Sequence, residues 1–195
     1  IFEKHKKRYI SAFTRDEFGH WGQNTRPKYG AELEKDKTLK NFERKVNEVL
    51  QKLDEFNKNK VFALFEGNFI INNEELQTRG NEQIKSVLND MLKILAKDLE
   101  EEDMKKFNEI IKTNRDKLNE STKSSDELKR VLGYVTKIVN KKASMELKLH
   151  GMAEKIHFLE LNNYQELKDL KVKYEDLKRE WETLRRQAKV KDKML

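Results

Sequence analysis

Two histidines and a glutamate in the C-terminal third of the chain have the spacing of metal ligands on a helix. His150, Glu154 and His157 stand at positions i, i+4 and i+7, so an α-helix would place all three side chains on one face. Imidazole and carboxylate groups are ligands that zinc accepts in proteins. However, the three residues lie beside an apolar stripe and among residues of mixed charge, which is typical of a solvated surface. We therefore predict no metal site here.

Other kinds of catalytic site need sequence features that this chain lacks. It has no cysteine, which excludes thiol nucleophiles, disulfides and cysteine-bound zinc. It has neither the G-x-x-x-x-G-K-[ST] loop that cradles nucleotide phosphates nor the G-x-S-x-G turn that presents a serine nucleophile. Carboxylates are abundant, but on helix surfaces they are solubilising charges. The sequence therefore predicts no catalytic or cofactor-binding residue, no cofactor and no enzyme activity in this chain.

The composition favours long amphipathic helices with charged outer faces. Of 195 residues, 39% are charged and 36% hydrophobic, and there are only one proline and seven glycines to interrupt helices. The formal net charge is +7, but acidic and basic residues alternate along the chain, as in helix faces stabilised by i,i+4 pairs. A basic balance of this kind is a weak indication of nucleic-acid binding. We expect no nucleic-acid partner.

Nothing in the sequence indicates a membrane span or a secretion signal. No window approaches the ~18 consecutive apolar residues of a transmembrane helix, and the N-terminal residues are charged. We therefore expect no membrane insertion. The chain begins at Ile1 rather than at a methionine, and we expect it to be an internal piece of a longer polypeptide.

The stretch from Ser124 to Leu159 has the most regular pattern. Ser124 and Glu127 have the spacing of a capping box, in which each side chain bonds the other residue's backbone amide at a helix start. Apolar residues then recur three and four apart, and we call such a row a seam because it must face partner helices. Lys142 is the one polar member, either as a register device or as a side chain that snorkels from the helix edge. The apolar members are Leu128, Val131, Val135, Ile138, Met145, Leu149, Met152, Ile156 and Leu159.

A second seam follows Asn162 and Asn163 and still runs at the last residue. Those two asparagines interrupt the pattern, and the sequence leaves open whether a hairpin or one long helix forms there. Trp181 is predicted to be the best-buried aromatic residue. The members of this seam are Leu167, Leu170, Tyr174, Leu177, Trp181 and Leu184, and the same spacing continues through Ala188, Lys191 and Leu195.

Three helices are predicted upstream. The first runs from Ala31, with Leu39, Phe42, Val46, Val49, Leu53 and Phe56 as its seam. The second carries Ile84, Leu88, Met91, Leu95 and Leu99, and the third carries Met104, Phe107, Ile111 and Leu118. The acidic run at 98–103 lies between them. Because carboxylates favour the positive end of a helix, we predict that this run begins the third helix.

Two regions have less regular patterns. Residues 61–71 are the most apolar window, and they fit a buried strand, a hairpin around Gly67 and Asn68, or buried helix ends. We prefer helix ends because no partner strand appears elsewhere. Residues 1–30 combine a possible short helix through Phe2, Tyr9, Ile10 and Phe13 with glycines and the proline at 18–27.

Taken together, these patterns predict an all-α fold, an elongated bundle of about five long amphipathic helices with heptad-like seams. The predicted organisation is an irregular or short-helix entry segment at 1–30, a first bundle part at 31–122 and a second at 123–195. The second part would consist of two long helices that continue beyond residue 195.

Several segments resemble the N-terminal tail of dynein heavy chains. Ser125–Ile138 is similar to a run of the form E-L-K-x-(V/I)-L-x-x-I-x-x-I in that family, and Met145–Leu147 is similar to the M-E-(L/V) step after it. Tyr164–Leu167 and Trp181–Ala188 resemble the later (Y/F)-x-x-L and W-x-x-L-x-x-x-A elements. Trp21 with Tyr29–Leu33 resembles an upstream W-x(n)-(Y/F)-G-x-x-L element. The likeness covers about residues 20–195 and is greatest to axonemal members.

The resemblance implies a stem segment that lies ahead of the linker and motor ring of a minus-end-directed microtubule motor. ATP, magnesium and microtubules would then be bound by other parts of the parent chain, an AAA+ ATPase. The stem would be a non-catalytic scaffold for dynein intermediate and light chains, other heavy chains, and docking or axonemal proteins. Its expected location is the cytoplasm and cytoskeleton, in the axoneme of a cilium or flagellum. The alternative is a free-standing coiled-coil or spectrin-like scaffold or adaptor.

Overall fold

The computed structural model describes residues 32–33, 35–58, 63–66, 69–72, 74–120 and 123–194. In this part of the chain the predicted all-α helical bundle is confirmed, with one small β-hairpin added to it. The elements in order are α1 (Leu39–Lys58), β1 (Ala63–Glu66), β2 (Phe69–Asn72), α2 (Glu74–Asp98), a π-helical segment (Leu99–Met104), α3 (Lys105–Leu118), α4 (Ser125–Asn140), α5 (Lys142–Leu161) and α6 (Leu167–Met194). The predictions made for residues 1–30 lie outside the described residues.

The chain divides into two compact units, Ile1–Leu95 and Ala96–Leu195. This division falls at a different position from the predicted boundary at 122/123. The reason is that α3 packs against both α4 and α6, and so belongs to the second unit.

In the first unit, α1 begins later than the sequence pattern predicted. The helix expected from Ala31 is interrupted at residues 36–38, and α1 starts at Leu39. At the interruption the Asp36 carboxylate accepts a hydrogen bond from the amide of Thr38 at 3.1 Å. A short polar side chain that bonds a nearby amide in this way competes with helix continuation and favours a new start. The buried residues of this region include Leu33, Phe42, Val46 and Val49.

The described residues of the apolar window, 63–66 and 69–71, lie in two paired strands, so the preference for buried helix ends was wrong. Strands β1 and β2 pair antiparallel, with Ala63 opposite Asn72 and Glu66 opposite Phe69. The argument against strands was that no partner strand appears elsewhere in the chain. A hairpin needs none, because both strands come from the same window and satisfy each other's backbone groups. The aromatic and β-branched residues of the window also favour strands.

The second unit is a three-helix arrangement: the π-helical segment with α3 is its first helix, α4 and α5 together are its second, and α6 is its third. The directions of these helices follow from their contacts. Glu100 pairs with Lys173 and the Leu118 carbonyl accepts from Lys191, so the first and third helices run parallel. Glu146 of α5 pairs with Arg185 of α6 at 3.1 Å, and Glu160 of α5 pairs with Lys171 of α6. Because the later residue of α5 pairs with the earlier residue of α6, these two helices run antiparallel. The chain thus passes up, down and up through this unit.

The turn at Asn162 and Asn163 makes α5 and α6 a hairpin, which answers a question that the sequence left open. Asn163 has φ of 56°, the left-handed conformation that asparagine tolerates better than most residues. Its amide donates to the carbonyl of Glu160 at 3.0 Å, and the amide of Tyr164 donates to that of Leu159 at 3.0 Å. These two bonds form a Schellman motif, which satisfies the last carbonyls of α5 and reverses the chain.

At the start of α4 the predicted capping box is confirmed. The Ser124 hydroxyl accepts from the amide of Glu127 at 3.3 Å, and the Glu127 carboxylate accepts from the amide of Ser124 at 3.2 Å. The same carboxylate accepts from the amide of Lys123 at 2.9 Å. Three amides near the helix start are therefore satisfied by two side chains.

Candidate functional site

The two C-terminal seams form the interior of the second unit. Thirteen of their fifteen predicted members are buried, while Leu128 and Tyr174 are partly exposed. The buried members are Val131, Val135, Ile138, Met145, Leu149, Met152, Ile156, Leu159, Leu167, Leu170, Leu177, Trp181 and Leu184. These residues hold three helices together, so they are structural rather than reactive.

Of the two alternatives for Lys142, its exposure opposes the buried register device and agrees with a side chain that snorkels from the helix edge. Its side chain is 53% exposed, and its ammonium lies 3.9 Å from the carboxylate of Glu146. Helices α4 and α5 are separated by a single residue, Lys141, with φ of −78° and ψ of −2°. The amide of Lys141 still donates to the carbonyl of Lys137, and its own carbonyl accepts from Met145. The break is therefore a one-residue kink that keeps the seam in phase.

The π-helical segment, which we call the π segment, is the main feature that sequence reasoning missed. The buried residues Leu99 and Met104 are five apart, and an α-helix would place them about 140° apart around its axis. A π turn closes i→i+5 hydrogen bonds and brings them to one side. Accordingly, the amide of Lys105 donates to the carbonyl of Glu100, five residues earlier. The step of five was visible in the sequence and was the signal for this turn.

The prediction that the acidic run begins a new helix was therefore wrong. Asp98 has helical φ and ψ of −61° and −44°, and its side chain caps nothing. The helix continues from α2 through the π segment into α3. The carboxylates of the run are instead placed opposite cations: Glu100 pairs with Lys173, Glu101 with Lys97 and Glu102 with Lys106.

Asp98, Asp103 and Lys155 form a partly buried charged cluster, which we call the aspartate–lysine cluster. The Lys155 ammonium lies 2.8 Å from Asp98 Oδ2 and 2.7 Å from Asp103 Oδ2. The side chains of Asp98 and Lys155 are 8% and 14% exposed. Because the two aspartates are five residues apart, it is the π turn that lets one lysine reach both.

The electrostatics of the cluster favour the charged lysine. Burial lowers the pKa of Lys155, but hydrogen bonds to Asp103 and Asp98 outweigh it and raise this pKa above its usual range. Lys155 therefore stays protonated at neutral pH and holds α5 against the π segment. Buried charges are tolerated when they are paired and hydrogen-bonded in this way.

Trp181 is 2% exposed and packs against α3, but the prediction that it is the best-buried aromatic residue was wrong, because Phe42 and Phe107 are 0% and 1% exposed. Its ring meets that of Phe107 edge to face, with centroids 6.4 Å apart and an interplanar angle of 71°. The indole nitrogen has no hydrogen-bond partner in the described part of the chain. A buried donor without a partner costs stability. Apolar contacts such as the one with Phe107 must therefore stabilise the buried Trp181 side chain.

The histidine pair and glutamate first considered as metal ligands lie at the surface. His150 Nε2 is 3.4 Å from Glu154 Oε1, with side chains 68% and 55% exposed, and His157 is also exposed. Within the described ranges, no three acidic, histidine or cysteine side chains stand close enough together to hold a metal ion.

Two surface depressions of the second unit have opposite charge. The larger, about 620 Å³, lies between the π segment with the start of α3 on one side and α6 on the other. The smaller, about 250 Å³, lies beside the kink and is lined by Ile138, Val139, Lys142, Arg185 and Lys189. Of the residues that line the smaller one, Val139 is 48% exposed. Both combine apolar side chains with charges.

No protein-family model, no curated protein and no solved structure matches this chain. None of the helices in the described ranges combines the length and apolar character that a bilayer span requires.

Proposed function

We propose that this chain is a non-catalytic helical scaffold that transmits load and carries other proteins. The observation that supports it is the path of the chain through the second unit. Because the first and third helices are parallel, the chain enters this unit beside Lys173 and leaves it beside Lys191, at opposite ends of α6. At 1.5 Å per residue, the 28 residues of α6 span roughly 42 Å. Units of this kind can be joined in series.

Our narrower proposal is a stem segment of an axonemal dynein heavy chain. Its support is the resemblance of residues 20–195 to that family, and above all of Ser125–Ile138 and Trp181–Ala188. In this proposal the segment contacts intermediate and light chains, other heavy chains, and docking or axonemal proteins. ATP hydrolysis, with its magnesium, and microtubule binding belong to the motor of the same polypeptide. The protein then works in the axoneme of a cilium or flagellum.

The alternative is a free-standing scaffold or adaptor. An up–down–up unit of three helices with packed seams is also the architecture of spectrin-like repeats, and this favours the alternative as much as the stem. The two proposals differ in the length of the native polypeptide and in what the rest of it does.

The experiment that separates them is capture of the native polypeptide with an antibody against residues 125–195. If the stem proposal is correct, the captured chain is far larger than 23.3 kDa, hydrolyses ATP, and is released from microtubules by ATP. A chain of about 23 kDa without ATPase activity would reject the stem and retain the free-standing scaffold.

A further inference from the structure

The larger depression of the second unit, which we call the acidic groove, has an apolar floor and a charged rim. Met104 and Leu177 form its floor, and both are more than nine-tenths buried. One wall is the stripe from Glu100 to Asn108, and the other is the stripe from Lys173 to Glu180 on α6. The first wall covers nine residues of helix, whose ends lie about 12 Å or two turns apart. The groove therefore has the length of two turns of another helix.

The charge of the groove is opposite to that of the whole chain. Four acidic residues (Glu100, Glu101, Asp176, Glu180) and two lysines (Lys105, Lys173) line it, which gives a formal charge of −2 where the chain as a whole carries +7. The pair between Glu100 and Lys173 joins the two walls at one end.

The polar groups of the groove with unused capacity are mainly hydrogen-bond acceptors. Asn108 lines the groove, and its Oδ1 is buried without a hydrogen-bond partner in the residues described. Among the residues that the structure describes, Glu101 and Asp176 pair only with cations of their own helices, at 3.8 Å and 3.5 Å, and their side chains are 62% and 59% exposed. Carboxylates have several lone pairs each, so both can accept further bonds from a ligand.

From this combination we propose that the acidic groove binds a basic amphipathic helix of a partner protein. An apolar side chain of that helix would rest on Met104 and Leu177, and its lysines or arginines would face Glu101 and Asp176. A fourth helix laid between two parallel helices converts the three-helix unit locally into a four-helix one, a helix-in-groove mode of recognition. The proposal rests on the scaffold function and assigns its binding surface.

The test uses the 195-residue chain and a fluorescein-labelled 18-residue helical peptide, with leucine along one face and lysine and arginine on its flanks. Binding is followed by fluorescence anisotropy. Charge reversal at the rim, in E101K/D176K, is expected to weaken binding at least about tenfold. The matched control is E109K/E175K, which makes the same charge change at exposed residues outside the groove and is expected to stay within about twofold of the unchanged chain.

Two further measurements complete the test. The same peptide with glutamate in place of its basic residues is expected not to bind, and circular dichroism is expected to show both variants folded. Equal weakening by both double variants would overturn the proposal, because it would mean attraction by charge without a site. Absence of binding to the unchanged chain would also overturn the proposal. So would self-association of the unchanged chain that the E101K/D176K variant loses, because the groove would then be occupied by a second copy of this chain. None of these results depends on the size or ATPase activity of the native polypeptide.

Discussion

In the second unit the regular α-helix is interrupted at the π segment and at Lys141, and these two interruptions are opposite in kind. At the π segment the apolar pattern loses phase, since Leu99 and Met104 are five residues apart, yet the helical backbone continues. At Lys141 the pattern keeps its phase, since Ile138 and Met145 are seven apart and both buried, yet the helix is divided.

The comparison shows that apolar spacing determines which residues are buried but not whether the backbone is continuous. A π turn absorbs one extra residue without opening the helix, because each carbonyl still finds an amide. The single residue Lys141 divides α4 from α5, but it leaves the seven-residue spacing of the apolar repeat unchanged. Four variants can break or sharpen this comparison, and we give them from the largest expected effect to the smallest.

Deletion of Lys141 is expected to have the largest effect. Without this residue Ile138 and Met145 become six apart, and the whole seam of α5 turns about 100° away from that of α4. Charged residues such as Glu146 then face the interior. We expect a loss of about 4 kcal/mol or more in the free energy of unfolding, measured by urea titration with circular dichroism. A melt close to that of the unchanged chain would show that the seam does not run across the kink.

Replacement of Lys155 by methionine is expected to cost about 3 kcal/mol, because it leaves Asp98 and Asp103 near each other without their shared cation. Hydrogen exchange of the amides at 99–105 should become faster at the same time. The control is the triple variant D98N/D103N/K155M, which removes the charges together and should recover much of the loss. A K155M chain as stable as the original would mean that the cluster does not hold the π segment.

The same cluster gives a pH dependence with a definite sign. The pKa of Lys155 is raised in the folded chain, so its contribution is complete below the pKa of the unfolded chain. It is lost only as the pH rises through the higher, folded value. The difference in stability between the original chain and K155M should therefore be constant through the neutral range and decrease at strongly alkaline pH.

Replacement of Ser124 by alanine is expected to cost about 1 kcal/mol, since it removes one half of a capping box at a true helix start. The matched control lies in the acidic run, where Glu101→Ala is expected to change stability by less than about 0.5 kcal/mol. Thermal melts of the two variants measure the difference between them. Equal losses would mean that the acidic run also acts as a helix start.

Deletion of Glu101 is expected to have the smallest effect, although it removes a residue from the middle of a helix. Leu99 and Met104 then become four apart, as do Asp98 and Asp103, so an ordinary α-helix keeps both pairs on one side. We expect a stability change of less than about 1 kcal/mol. In a W21F background, Trp181 emission should stay blue-shifted because its contact with Phe107 is kept. A red shift together with unfolding would show that the second unit needs the π turn, and not only the alignment of these two residue pairs.

The parts of the fold that sequence reasoning predicted are those set by long, regular repeats. The buried members of the two seams and the capping box at Ser124 belong to this group, because three-and-four spacing over many turns has a single solution. The hairpin at 63–72 was misjudged because a window of eleven residues is too short for periodicity to separate strand from helix. The acidic run at 98–103 suggests a helix start by its charge, but the apolar step of five from Leu99 to Met104 is the feature that determines its π-helical backbone. The two-sided contact of Lys155 depends on which helices become neighbours, and no local pattern contains that information.

The parallel first and third helices of the second unit also set an order of events in time. The last carbonyl of α3, at Leu118, is capped by Lys191, which lies 73 residues later in the chain. At roughly 5–20 residues per second, a ribosome needs about 4 to 15 s to make that interval. Phe107, Ile111 and Leu118 must wait that long for α6. Within the second unit, α3 is therefore made before the other α-helices, but its packing is complete only after α6 has been made. Until α6 has been made, α4 is the helix of the second unit that can cover the apolar side of α3.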